Sequence, residues 1–367
     1  MRVHVVSFQV PYPADYGGVI DVFYKLKALH DEGYEIILHT FRYNGREPAP
    51  ILEELCSEVH YYERRKGLFF QLFLTPYIVK TRNARTLLKD LCKDDAPILF
   101  EGVHTCFFIN HPALKGRKKV VRMHNIEHDY YKLLAQQTPS LWKSLYYRVE
   151  SRKLDRFEEK LEYADTICAI SASDELNLKI RFPENNVVLL PAFFDIPVTH
   201  AEYDTEPFVL YHGNLAVEEN AHVAHFIAKE VAPLLPEVKF VIAGHEPNLS
   251  DTPENVSVIS SPSDKQLDEL IATARINLLL TFQPTGLKLK LINTLVKSNG
   301  FIIANKDMLT GHSLGEYCIQ ADTPSEIANA IQKAMRSEPD LNMVQKRNAR
   351  ISEVAETGIS ILHKVLE

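Results

Sequence analysis

The chain has 367 residues, 46% of them hydrophobic and 24% charged, with a formal net charge of −7. That is the make-up of a soluble globular protein long enough for two domains, and its acidic balance argues against nucleic acid as a main partner. Its cysteines (Cys56, Cys92, Cys106, Cys168 and Cys318) are odd in number and scattered, with no C-x-x-C. A disulfide framework or zinc site is therefore not expected, and each cysteine reads as a small core residue in a reducing cytosol.

Taken in order, the first half alternates short apolar strands with amphipathic helices. Val3–Phe8 is a predicted strand, its apolar run too short for a signal peptide. No run of about 18 apolar residues predicts a transmembrane helix. A helix is expected over Val19–His30, with Gly33 in the usual place for a C-terminal cap. Strands are expected at Tyr34–Phe41, Glu58–Tyr62, Ile98–Glu101, Lys119–Met123 and Thr166–Ile170, and a helix at Ala84–Cys92. Tyr147–Tyr163 reads as one long charged helix, with Val149, Leu154, Phe157 and Leu161 on its apolar face and its charges mostly solvated.

Pro191, Pro197 and Pro207 bracket a polar segment, the best candidate for a linker. The alternation then restarts. Strands are expected at Phe208–His212, Lys239–Ala243, Val256–Ile259, Ile276–Leu280, Phe301–Ala304 and Tyr317–Gln320. Helices are expected at Ala221–Leu235, Asp264–Thr273, Leu287–Lys297 and Ser325–Met335, and again from about Leu341. Alternation of this kind predicts parallel sheets covered on both faces. The expected fold class is α/β, with two doubly wound, Rossmann-like domains at 1–190 and 207–340. The C-terminal helix, 341–367, is available to complete the first. In such folds ligands sit at the carboxyl ends of the strands, so a cleft shared by the two domains is expected.

Several motifs fall just after strands. Gln283-Pro-Thr-Gly-Leu-Lys-Leu-Lys-Leu-Ile-Asn293 opens from a strand into a helix. Helix N-termini favour anions, Gly286 permits close approach, and Lys288 and Lys290 add positive charge. An anion site and an ordinary connection both remain open from these residues alone. Gly17-Gly18, before the first helix, can admit a diphosphate or form a plain turn. It is not a G-x-G-x-x-G fingerprint, so a nicotinamide dinucleotide is not supported. Gly213-Asn214 and Gly244 repeat the small-residue theme after later strands. His104 and the segment His124-Asn125-Ile-Glu127 follow strands and are expected to face the same rim, where imidazole can bind sugar hydroxyls or shuttle protons. No P-loop, no G-x-S-x-G elbow and no apolar-flanked D-x-D occur, so no metal site is expected. Arg64-Arg-Lys-Gly-Leu-Phe-Phe-Gln-Leu-Phe-Leu74 joins basic to bulky apolar residues; it can lie on an anionic membrane surface or pack on the first domain.

In the order and spacing of these segments the chain resembles the retaining glycosyltransferases of GT-B fold, glycosyltransferase family 4. The matching residues include Gly17-Gly18, His124-Asn125-x-Glu127, the long charged helix, Ala164–Ser171, His212–Asn220, Val241–Gly244 and Gly286-Leu-Lys288-Leu-Lys290. The resemblance implies a hexosyltransferase-type enzyme that needs no cofactor. It would move a sugar from a nucleotide donor, such as a UDP- or GDP-sugar, to a glycan or lipid-linked acceptor. It implies a donor held by the second domain (Gly213, Asn214, Gly244, Thr285, Gly286, Leu287, Lys290 and Asn293) together with Gly17 and Gly18. It assigns His124 and Lys288 to catalysis, and His104, Asn125 and Glu127 to the acceptor side. The setting it implies is cytoplasmic polysaccharide assembly in bacteria. Separately, if 64–74 lies on a membrane as its residues allow, the contact is peripheral, at the inner face, and the acceptor is lipid-linked. Two glutamates common in the family fall at Thr285 and Asn293 here, neither acidic. Asn214 and Glu218-Glu219 follow the Gly213 strand where a basic residue is often found. These departures leave two alternatives. One is a non-catalytic homologue that binds nucleotide or glycan or scaffolds another transferase; the other is a sugar-nucleotide epimerase.

Overall fold

The structure is a computed structural model and describes residues 1–15, 17–138, 140–194, 205–245, 249, 252–282, 288–310 and 314–367. The chain divides into two compact units: unit 1 is Met1–Phe194 with Val354–Glu367, and unit 2 is Asp195–Glu353.

Unit 1 holds strands β1 (Arg2–Ser7), β2 (Glu35–Arg42), β3 (Glu58–Glu63), β4 (Ile98–Glu101), β5 (Lys119–Arg122), β6 (Thr166–Ala169) and β7 (Asn186–Leu189). Its helices are α1 (Gly17–Asp31), α2 (Pro50–Leu55), α3 (Tyr77–Lys80), α4 (Arg85–Leu91), α5 (Glu127–Gln137), α6 (Leu141–Glu158) and α7 (Ala172–Arg181). The sheet is parallel throughout, in the order β3-β2-β1-β4-β5-β6-β7. β4, β5 and β6 are buried along their whole length, which is why Ile98–Phe100, Val120–Val121 and Ile167–Ala169 read as short unbroken apolar runs rather than alternating ones. One core packs Phe100, Val121, Ile167 and Leu154 on one face of the sheet. The other packs Val5, Leu26, Leu38 and Leu99 with Leu362 and Leu366 from the end of the chain.

Unit 2 holds β8 (Glu206–Asn214), β9 (Lys239–His245), β10 (Val256–Ser260), β11 (Ala274–Leu279), β12 (Phe301–Ala304) and β13 (Ile319–Gln320). Its helices are α8 (Glu218–Phe226), α9 (Asp264–Thr273), α10 (Leu289–Lys297), α11 (Lys306–Leu309) and α12 (Pro324–Met335); α13 (Leu341–Leu366) runs across the division of the chain. The order β10-β9-β8-β11-β12-β13 repeats the winding of unit 1. Capping boxes start α9 at Ser263 and α12 at Thr323. Two parallel-sheet α/β units are therefore present, as the alternation predicted.

Some local expectations are corrected. The long charged helix begins earlier, at Leu141, capped by Ser140, and ends in a 3-10 turn over Glu159–Tyr163. Its charges are not all solvated. Glu150 is buried and accepts from Tyr77 N and Lys153 Nζ, and Glu158 is buried against His128 and Arg181. Val149, expected on the apolar face, is exposed. The helix expected over Ala221–Leu235 is α8 followed by a wider π turn at Ile227–Val231 and a 3-10 turn at Ala232–Leu234. Pro233 has no N–H to carry the α-helical ladder on. Strand β7 was not anticipated, because Val187–Leu190 is short and runs straight into Pro191. Cys92 is exposed rather than a core residue. The proposed linker's residues 195–204 lie outside the described residues.

Candidate functional site

Each sheet reverses its winding once, between β1 and β4 in unit 1 and between β8 and β11 in unit 2. The carboxyl ends of strands beside such a reversal are where a doubly wound sheet leaves room for a ligand.

In unit 1 this region holds a buried charge cluster. Glu101 closes β4, Arg122 closes β5, and Asp21 and Lys25 lie one turn apart on α1. Lys25 Nζ donates to Asp21 at 3.0 Å and to Glu101 at 2.8 Å, and Arg122 Nε donates to Asp21 at 3.1 Å. The Arg122 guanidinium also donates to the carbonyls of Ala169, Leu190 and Pro191, gathering the ends of β6 and β7. Burial alone would raise the carboxyl pKa of Asp21, but Arg122 and Lys25 outweigh it and hold Asp21 well below the usual range. Burial likewise pushes the Glu101 carboxyl up, but Lys25 and the hydrogen bond from His124 outweigh it and hold Glu101 below the usual range.

His124 stands on this cluster. Its Nε2 lies 3.0 Å from Glu101, its Nδ1 3.7 Å from Asp21, and the Phe8 ring meets it edge-on at 5.5 Å. An ionised carboxylate only accepts, so Glu101 selects the tautomer with the proton on Nε2. Atoms of Asp21, Glu101 and His124 lie within 4.8 Å of one another, as metal ligands would. Lys25 already pairs with both carboxylates and Arg122 with Asp21, however, so the donor set fits a salt-bridged support for the imidazole better than a cation site. His104 joins His124 at the Phe8 ring, 5.6 Å away. Between them Gly102 sits at φ +75°, where a side chain would press on His104 Nδ1 at 2.9 Å. That nitrogen is buried with no hydrogen-bond partner among the described residues, and burial, reinforced by Arg82, holds His104 neutral.

Glu127 begins α5 and is buried, with Asn125 Nδ2 3.5 Å from its Oε1. Burial and the neighbouring Glu158 push its carboxyl up to about 8, so it is a carboxylic acid at neutral pH. Gly17 and Gly18 are the first two residues of α1, one turn ahead of Asp21.

In unit 2, Gly213 and Asn214 end β8 beside Gly244 and His245 of β9. A side chain at Gly244 would collide with the carbonyl of Gly213, so that glycine is required by the sheet itself. Lys290, in the first turn of α10, reaches back over β8. Its Nζ lies 4.1 Å from the centroid of the Tyr211 ring and 3.2 Å from where a Cβ on Gly213 would stand. The Nζ is buried, with no hydrogen-bond partner among the described residues. Burial pushes its pKa down to about 7, against the opposing pull of Glu219. Lys288, at the N-cap of α10, is half-buried and lowered by burial, with Glu219 and Asp307 acting the other way. Asn220 Nδ2 donates to Asn214 O at 2.9 Å, and Asn214 Oδ1 accepts from Ala216 N at 3.1 Å, which fixes the turn after β8. Asn293 is half-buried one turn further along α10. Thr285, Gly286 and Leu287 lie outside the described residues.

The structure thus gathers His104 and His124 in unit 1, and Gly213, Asn214 and Lys290 in unit 2. It adds Asp21, Lys25, Glu101, Arg122 and Tyr211, which sequence reasoning did not single out as site residues. The signal for two of them was present: Asp21 and Lys25 are an i,i+4 ion pair within an otherwise apolar stretch of helix.

The two parallel-sheet units match GT-B glycosyltransferase structures. Sucrose-phosphate synthase from Thermosynechococcus elongatus superposes with a TM-score of 0.71 at 12% identity, over 99% of this chain and 98% of that one. The trehalose-6-phosphate synthase OtsA gives 0.67 at 11%, over 100% and 99%. Anabaena HepE, solved in complex with UDP and glucose, gives 0.63 at 14%, again over 100% and 99%. No family model matches the chain. In sequence it is 26% identical over 371 residues to an uncharacterized 44.6 kDa protein in the cps region of Klebsiella pneumoniae, covering 89% of this chain and 93% of that one.

Proposed function

We propose that the protein is a glycosyltransferase of the family 4 type. It moves a hexosyl group, with retention, from a nucleoside-diphosphate sugar to a glycan or lipid-linked acceptor. Unit 2 takes the donor and unit 1 contributes the acceptor side. The observation that carries this reading is Lys290, a buried amine without a hydrogen-bond partner among the described residues, beside a glycine strand end and in the first turn of a helix. Those three features together suit a diphosphate, whose charge would hold the ammonium protonated: an unpaired donor, bare backbone and the positive end of a helix dipole. We favour Lys290 over Lys288 for that role, because Glu219 acts on both lysines while Lys288 has Asp307 as a further counter-charge.

The reaction asks little covalent chemistry of the protein. Lys290, Lys288 and the α10 N-terminus stabilise the departing diphosphate, and the acceptor hydroxyl attacks from the face it leaves. Asn293 offers a ribose hydroxyl neutral hydrogen bonds in place of a carboxylate's. In unit 1, His124 serves the transferred sugar, held in one tautomer by Glu101. No step uses a metal ion or a resident cofactor. The fold likeness to HepE, which holds UDP and glucose, and the Klebsiella relative's place in a cps region accord with this setting.

The missing acids at Thr285 and Asn293 favour a second reading, a homologue that binds nucleotide without turnover. A panel of UDP- and GDP-sugars separates the readings. Acceptor-dependent release of nucleoside diphosphate, with the donor's anomeric configuration kept in the product by NMR, is expected. Nucleotide binding without release would establish the non-catalytic homologue, and donor conversion without acceptor would establish an epimerase.

A further inference from the structure

Unit 1 carries a band of exposed apolar side chains that the donor and acceptor chemistry does not use. The 3-10 turn at Leu68–Leu72 and the residues after it leave Leu68, Phe69, Leu72 and Leu74 in solvent, Leu74 at 86% exposure. The N-terminal half of α6 does the same with Leu141, Trp142, Leu145 and Val149, Trp142 at 83%. At 100° per residue these four form one stripe. The opposite flank of α6 is taken by α5, through Ser151 to His128 O and Ser144 to Ala135 O.

The two apolar sets adjoin. Lys153 Nζ donates to Gln71 O at 2.6 Å, and Tyr77 N donates to Glu150 at 2.6 Å, so α6 is fastened to the 68–77 segment just beyond the stripe. The charge pattern of both segments is one-sided. From Arg64 to Lys89 and from Tyr130 to Val149 the sequence has no Asp or Glu. Arg65, Lys66, Lys143 and Arg148 are exposed and form no ion pair among the described residues. A protein of net charge −7 thus gathers unopposed cations around protruding leucines, a phenylalanine and its single tryptophan.

We propose that this face docks unit 1 on an anionic lipid bilayer, with the leucines, Phe69 and Trp142 at the acyl boundary and the lysines and arginines among the headgroups. A second copy of the chain fits less well. A two-fold contact would set these cations against one another, and like charges across an interface repel. The contact is peripheral, since no helix among the described residues is long and apolar enough to cross a membrane. It stands independently of the donor chemistry of unit 2.

The test uses the full chain with phosphatidylcholine vesicles, with and without about a third phosphatidylglycerol, at low and high salt. Binding to the anionic vesicles alone, weakened by salt, is expected. Trp142 is the sole tryptophan, so its emission should shift to the blue on binding. Arg65→Glu with Lys66→Glu should lower partitioning by at least about thirtyfold. Leu72→Ser with Leu74→Ser should lower it by at least about tenfold, with the circular dichroism spectrum unchanged. No binding to anionic vesicles, or binding that leaves Trp142 emission unmoved or both variants unaffected, overturns the proposal. Self-association that the leucine variant abolishes, without vesicle binding, overturns it in favour of a second copy.

Discussion

Lys290 is a residue kept where it costs stability. A cation buried with no hydrogen-bond partner among the described residues is worse off folded than unfolded, and burial holds its pKa down at about 7. The sign follows from linkage. The unfolded chain binds this proton more tightly, so the penalty is full below about pH 7 and fades toward the unfolded lysine value near pH 10.4, at about 1.4 kcal/mol per pH unit. Lys290→Met should therefore raise the urea midpoint of unit 2 at pH 7, with the gain shrinking steadily as pH rises. An unchanged midpoint at every pH would show that Lys290 is not buried as described. The sequence marked both lysines of the stretch but could not rank them. The ranking depends on Tyr211 and Gly213, which are about eighty residues away in the chain and adjacent only once β8 and β11 pair. The support of His124 was hidden for the same reason, because Asp21, Glu101 and Arg122 meet through the sheet.

At the scale of elements, the strands were the most legible feature. Strands buried on both faces carry apolar side chains on both, and those short runs are written directly in the sequence; the exceptions, such as Glu101 and Arg122, sit at strand ends. Helix limits were less legible. The start of α6 was missed because its first turns carry apolar residues that face solvent, and the π turn after α8 follows from one proline rather than from any period. The β8–β9 pair makes the sharpest demand. Gly244→Ala forces a methyl against the carbonyl of Gly213 and must part the strands beneath Lys290. We expect it to cost unit 2 roughly 2 kcal/mol or more in denaturant unfolding and to weaken nucleotide binding with it. Loss of neither would mean that the strand ends have slack that their register does not show.

Across the whole molecule, two units share one winding order, and each places its chemistry beside the reversal of that order. The fold class followed from the alternation of strands and helices, which runs through the whole chain. Of the site residues that the resemblance assigns, Thr285, Gly286 and Leu287 lie outside the described residues. The central claim is therefore that Lys290 waits for a diphosphate, and calorimetry with UDP and GDP tests it most directly. At pH 8 most Lys290 side chains are neutral, so a bound diphosphate should draw in up to about one proton, seen as an enthalpy that depends on the buffer. Lys290→Met should remove that proton uptake and weaken binding by about ten- to a hundredfold. No binding of either nucleotide, or equal binding by Lys290→Met, would contradict the account.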